Sequence, residues 1–311
     1  MNNADADRPT DHDFAPLRPV AGPRRFHELG TSSIVEWQAP GQPSGTRDFQ
    51  SLRGIRGRLE HEPSLRPSLF IFHCSRCGST LLGRLLEQDP GMRVCLEPDA
   101  LLQFFELNPA PENDPGAIER FRTLLQAYGL SPRPSERHLV IKFASLNIRQ
   151  VEFVRACFPD VELVYLLREP AAVLASILRR PPRFLDAMDR TRLASIFGQP
   201  AKAPGDHTFA EWCGWYVEQN LSWALEWAGL FRQVIDYRDW RKEYFTLLSR
   251  FSAQPRNIDE PGFAPTLARH AKRRSELFTP ESSPAAVPPM IGDGAEAVYR
   301  RWRAWCDRLP S

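Results

Sequence analysis

Apolar residues along this chain fall into short unbroken runs, separated by stretches in which they recur at helical spacing. Leu69-Phe70-Ile71-Phe72 is apolar on both faces and predicts a buried parallel strand. Val94-Cys95-Leu96, His138–Phe143, Val161–Leu167 and Gln233–Tyr237 predict four more. After the first run, Leu81, Leu82, Leu85 and Leu86 keep helical spacing. Further helices are expected over 100–107, 117–128 and 147–158, from Glu169-Pro170 to about Arg179, over 208–230 and 239–251, and over 294–307 at the end. Strands alternating with helices imply an α/β fold, a doubly wound parallel sheet with right-handed crossovers. Ligands of such sheets bind at the carboxyl ends of the strands.

The pattern is weaker at its margins. Residues 1–24 are polar and proline-bearing, a composition of disorder. Ser33–Trp37 suits a short strand, and Phe49, Leu52, Ile55 and Leu59 sit at helical spacing despite Gly54 and Gly57. Residues 25–66 are therefore expected as a flap before a single α/β domain over 67–311. Residues 180–206 read as a proline-rich, basic excursion, and 253–293 as irregular chain holding Lys272-Arg273-Arg274. Trp212, Trp215, Trp223 and Trp227 are expected as packing of one long helix.

Composition narrows the class. A chain of 311 residues with 42% hydrophobic and 25% charged residues is that of a globular protein. A net charge of +2 gives no general pull toward nucleic acid or a membrane surface. The start lacks the basic and apolar regions of a signal peptide, and no apolar run approaches the ~20 residues of a membrane span. Six scattered cysteines suit reduced thiols. A cytoplasmic protein is expected.

The chemistry concentrates after the first strand, in His73-Cys74-Ser75-Arg76-Cys77-Gly78-Ser79-Thr80. Strand, glycine turn and helix form a P-loop-like geometry, because turn amides and a helix N-terminus point at one anion. The stretch is not a Walker A loop, which needs G-x-x-x-x-G-K-[ST]. Cys74 and Cys77 also make a C-x-x-C. A thioredoxin-like reading is opposed by the Gly-Ser-Thr continuation and the size of the sheet, and a zinc site would need two more nearby ligands.

Ser75-Arg76-Cys77-Gly78-Ser79-Thr80 resembles the phosphosulfate-binding loop of sulfotransferases that use 3′-phosphoadenosine 5′-phosphosulfate (PAPS), in particular bacterial proteins whose strand ends in SRCGSTL. The resemblance spans roughly residues 68–240. It implies that Arg76, Cys77, Gly78, Ser79 and Thr80 hold the 5′-phosphosulfate. In that family an arginine at a strand end and a serine eight residues later hold the 3′-phosphate; here these are Arg168 and Ser176. Tyr237 resembles the family's tyrosine near the adenine, although its Y-E-D here reads Tyr237-Arg238-Asp239. No spacing rule fixes a role for Lys272-Arg273-Arg274.

Two departures shape the expected mechanism. Arg76 stands where cytosolic members have lysine, and an arginine stabilises charge without readily giving up a proton. Lys142, at the end of the third strand, is then the better proton donor. The family's histidine base two residues beyond that lysine is replaced by Ala144. Glu97, ending a second strand expected beside the first, is the replacement candidate, against a helix-capping role that Asp99 could fill instead. His73, at the loop's entry, is expected to be buried or backbone-bonded. The function implied is sulfuryl transfer from PAPS, without a metal, to a hydroxyl or amine of a small-molecule, glycan or peptide acceptor. A nucleotide kinase or hydrolase with an unorthodox loop, and a non-catalytic PAPS-binding protein, stay open.

Overall fold

The computed structural model describes residues 22–29, 32–38, 48–182, 185, 208–268 and 292–308. Lys272-Arg273-Arg274 and nearly all of the 180–206 excursion lie outside these. Among the described residues the strands form two sheets. An antiparallel sheet of order β1-β2-β3 joins β1 (Gly22–Leu29), β2 (Ser32–Gln38) and β3 (Asp48–Ser51). A parallel sheet joins β4 (Pro67–His73), β5 (Met92–Leu96), β6 (His138–Lys142), β7 (Glu162–Leu167) and β8 (Gln233–Asp236), in the order β5-β6-β4-β7-β8.

The central place of β4 follows from its sequence. Leu69, Phe70 and Ile71 are wholly buried, so both faces need cover. Phe143 supplies part of it, stacked on Phe72 at 4.7 Å and edge-on to Phe70 at 5.4 Å between ring centroids. From β4 the chain runs to β5, returns to β6 between them, then crosses to β7 and β8 on the other side. The winding reverses at β4, and the carboxyl end of that strand borders the crevice of such sheets.

The α-helices of seven residues or more among the described residues are α1 (Leu52–His61), α2 (Ser79–Leu86), α3 (Asp99–Leu107), α4 (Ala117–Gln126), α5 (Val151–Cys157), α6 (Pro170–Arg179), α7 (Phe209–Glu226), α8 (Trp240–Phe251) and α9 (Asp293–Cys306). A Thr208–Glu211 capping box starts α7. Trp212 is buried on it, with Trp215 stacked at 4.5 Å. No helix among the described residues is long and apolar enough to cross a membrane.

Four expectations are corrected. The polar tail gives way to strand at Gly22, not after residue 24, because Phe26 packs on Phe104 at 5.3 Å and the Tyr128 hydroxyl bonds the Pro23 carbonyl at 2.7 Å. Phe49 belongs to β3 and is 50% exposed; the helix starts only at Leu52, where the Ser51 hydroxyl accepts the Gly54 N–H and caps it. The helix expected from 147 begins as a 3₁₀ segment, Ser145–Gln150, and becomes α5 at Val151. There the Ser145 carbonyl is taken by the Asn220 side-chain amide at 2.7 Å. Finally, β5 does not lie beside β4: β6 separates them.

Candidate functional site

The loop after β4 is built from left-handed backbone. Ser75 has φ 70°, Arg76 φ 46° and Gly78 φ 82°. Two adjacent left-handed residues and the glycine turn the chain tightly from β4 into α2. Gly78 is required twice over: its φ strains any L side chain, and a Cβ there would stand 2.4 Å from Tyr237 Cε2. Gly78 also precedes α2 as its N-cap residue, so Ser79 and Thr80 open the helix and their amides lack intrahelical acceptors. Ser79 is buried; Thr80 is partly exposed. Cys77 is buried beneath the loop with its carbonyl bonded by the Tyr244 hydroxyl at 3.4 Å.

Arg168 follows β7 directly. Its Nη1 donates to the Arg76 carbonyl at 3.0 Å, and its guanidinium lies 4.7 Å over the Tyr237 ring. Loop, Arg168 and Tyr237 thus form one contiguous wall across the ends of β4, β7 and β8. Ser176 sits in α6, six residues beyond Pro170, about 9 Å along the axis. The Arg76 guanidinium turns to the same helix and donates to the Arg180 carbonyl at its C-terminal end.

On the other side of β4, Lys142 ends β6 and is 1% exposed. Its ammonium pairs with Glu97, whose side chain is 42% exposed. Glu97 therefore presents a carboxylate to solvent with a buried cation behind it. It does not cap α3, whose N-cap is Pro98 with no side-chain bond. Its own backbone is left-handed, φ 48°, and its N–H bonds the Lys142 carbonyl at 2.7 Å.

His73, the last residue of β4, joins the two sides. Its Nδ1 accepts the Ser75 N–H at 3.0 Å; its Nε2 lies 3.1 Å from the Phe143 carbonyl oxygen and 2.9 Å from Lys142 Nζ. Glu97 Oε1 is 3.5 Å from the same nitrogen. The burial and backbone bond of His73 are as the sequence suggests, but its contact with Lys142 is not. A second addition is Tyr216 of α7, whose hydroxyl donates to Ser145 Oγ at 2.7 Å. Burial raises the Tyr216 phenol well above its ordinary range. Neither residue carries a spacing signal in the sequence. The one clue is that His73, like Lys142, stands at a strand end.

Cys74 and Cys77 are fully buried and not bridged to each other, and burial followed by the contact with Cys77 pushes the Cys74 thiol well above its usual range.

No family model and no curated protein matches the chain. Among solved structures it is similar to the sulfotransferase domain from the curacin biosynthetic pathway, with 18% identity over 80% of this chain and 94% of that one and a TM-score of 0.39. It is also similar to a sulfotransferase from Mycobacterium avium, with 14% identity, 80% of each chain and a TM-score of 0.45. A third is a sulfotransferase from Alicyclobacillus acidocaldarius, with 15% identity over 79% and 97% and a TM-score of 0.44.

Proposed function

We propose that the protein is a PAPS-dependent sulfotransferase acting on a hydroxyl or amine acceptor. The observation that carries this reading is the meeting of two arms at the carboxyl end of β4. One is the loop 75–78, left-handed at Ser75, Arg76 and Gly78, with Arg168 bound to its backbone; the other is the Lys142–Glu97 pair, joined to the loop through His73. The first arm suits two phosphate groups of one nucleotide. The loop amides, Cys77 to Thr80 and Arg76 hold the phosphosulfate; Arg168 and Ser176 hold the 3′-phosphate; Tyr237 borders the adenine. A planar guanidinium fits phosphate with two parallel bonds.

The second arm supplies acid–base chemistry. As the acceptor oxygen bonds to sulfur and the sulfur–oxygen bond to the nucleotide breaks, the acceptor proton passes to the Glu97 carboxylate. Lys142 holds that carboxylate in place, and Arg76 stabilises the charge left on the nucleotide phosphate. Positioning and charge stabilisation supply the acceleration.

The test is calorimetry with 3′-phosphoadenosine 5′-phosphate against AMP, ADP and ATP. The bisphosphate is expected to bind tightest, without magnesium. Arg168→Ala is expected to weaken it by about 2–5 kcal/mol, the usual loss for one member of a buried charge pair, and to leave AMP little changed. Equal affinity for AMP and the bisphosphate would remove the 3′-phosphate role. Tighter binding of magnesium-ATP would point to a nucleotide kinase instead.

A further inference from the structure

We propose that His73 is a positioning residue that sets both arms of this site at once, one with each ring nitrogen; the inference rests on the function proposed above. The hydrogen bonds assign the ring's tautomer. Ser75 N–H points at Nδ1 from 3.0 Å, so Nδ1 carries no proton. The ring proton is then on Nε2, which donates to the Phe143 carbonyl at 3.1 Å. The opposite tautomer would oppose two N–H groups at Ser75 and strip the Phe143 carbonyl of its donor. Lys142 Nζ, 2.9 Å away, then faces the protonated Nε2 donor to donor, a contact offset by Glu97 Oε1, which pairs with the ammonium and lies 3.5 Å from Nε2. The imidazole edge therefore acts as a wall, and the ammonium directs its hydrogens to Glu97.

The other nitrogen acts on the loop. Ser75 is buried and left-handed at φ 70°, a conformation that non-glycine residues hold only under constraint. Something must hold it. The His73 bond does so through its amide. Arg76, the next residue, is left-handed as well, and its carbonyl is the one that Arg168 grips. A shift at Ser75 thus reaches the nucleotide's phosphate contacts, whereas a shift at Nε2 reaches Glu97.

Two substitutions separate the arms. His73→Asn puts a carboxamide oxygen near the place of Nδ1 and leaves nothing at Nε2. His73→Gln extends an amide N–H toward the place of Nε2 and leaves nothing at Nδ1. Three quantities are read for each: bisphosphate affinity, turnover with labelled PAPS and an acceptor found by screening phenols, alcohols and amines, and hydrogen exchange of the Ser75 amide. His73→Asn is expected to keep affinity and Ser75 protection and to lose about tenfold in turnover, the scale of one hydrogen bond. His73→Gln is expected to expose the Ser75 amide and lose about tenfold in affinity, with turnover at saturating donor preserved. Equal losses in both variants, or Ser75 protection equal in both, would overturn the positioning role. If the Ser75 amide responds as expected while wild-type protein binds no bisphosphate, the functional reading falls and the positioning of the loop stands. Nitrogen-15 NMR of the wild-type imidazole reads the tautomer even if neither variant folds, and a protonated Nδ1 would overturn the assignment.

Discussion

Ser75, Arg76 and Glu97 hold left-handed backbone without being glycine, and all three sit at the carboxyl end of the parallel sheet. Strain of this kind persists only where surrounding bonds fix it. At Glu97 the backbone bond to Lys142 and the ion pair with the same lysine do so. Glu97→Gln keeps size and polarity but removes the proton-accepting charge. Turnover is expected to fall by about 10²–10⁴, with bisphosphate affinity nearly unchanged and the melting temperature lowered, because the buried Lys142 ammonium loses its counter-charge. Full activity in this variant, measured with labelled donor, would move the base elsewhere. The loop, Lys142, Glu97, Arg168 and Tyr237 were legible in the sequence because each stands in or just after an apolar strand. His73 was placed at the loop's entry, but its partner was not legible. The bond to Lys142 depends on β6 lying beside β4 with Ile71 opposite Lys142, and register between distant strands leaves no trace in either strand alone.

At the scale of elements, the five parallel strands were legible from their apolar centres, whereas β1 and β3 were not, being mixed in character. One edge element is held by charge. Arg93 on β5 is buried with Glu136, its Nε and Nη2 donating to one carboxylate oxygen at 3.1 and 2.6 Å. Its remaining hydrogens reach the carbonyls of Tyr128, Leu130 and Ser131, tying β5 to the segment after α4. Burial alone would raise the Glu136 carboxyl, but the Arg93 bond, the Arg133 amide and both positive charges outweigh it and hold it below its ordinary 4.5. A carboxyl lowered by folding gives stability that is present above that ordinary value and lost as pH falls through the folded one. Glu136→Gln leaves the guanidinium buried without its counter-charge. It is expected to cost about 3–5 kcal/mol at neutral pH and to flatten the acid side of the stability profile. Urea midpoints followed from neutrality to about pH 3 check both. An unchanged acid limb would assign the loss to other carboxylates.

At the scale of the molecule, α9 closes the core against α7 and the sheet. Trp302 is wholly buried, stacked on Tyr165 of β7 at 5.3 Å, and its indole N–H bonds the Leu221 carbonyl at 3.0 Å. Tyr299 on the same helix bonds Asp236 at 2.7 Å, at the end of β8 and next to Tyr237. Trp302→Ala is expected to cost about 3–5 kcal/mol, through lost transfer energy and the cavity left behind, read as a shift in denaturant midpoint. A loss below about 1 kcal/mol would mean that α9 does not fold with the rest. The amphipathic pattern announced this helix, but not its berth, which is set by the three-dimensional course of the crossover chains.

The left-handed backbone of Glu97 has a consequence for how this chain could evolve. Glycine would relieve the strain at that position, and asparagine part of it. Either change would also leave the buried Lys142 ammonium without its carboxylate, a larger loss than the strain relieved. Strain and counter-ion are thus bound together at one position, and Glu97 and Lys142 can change only in concert.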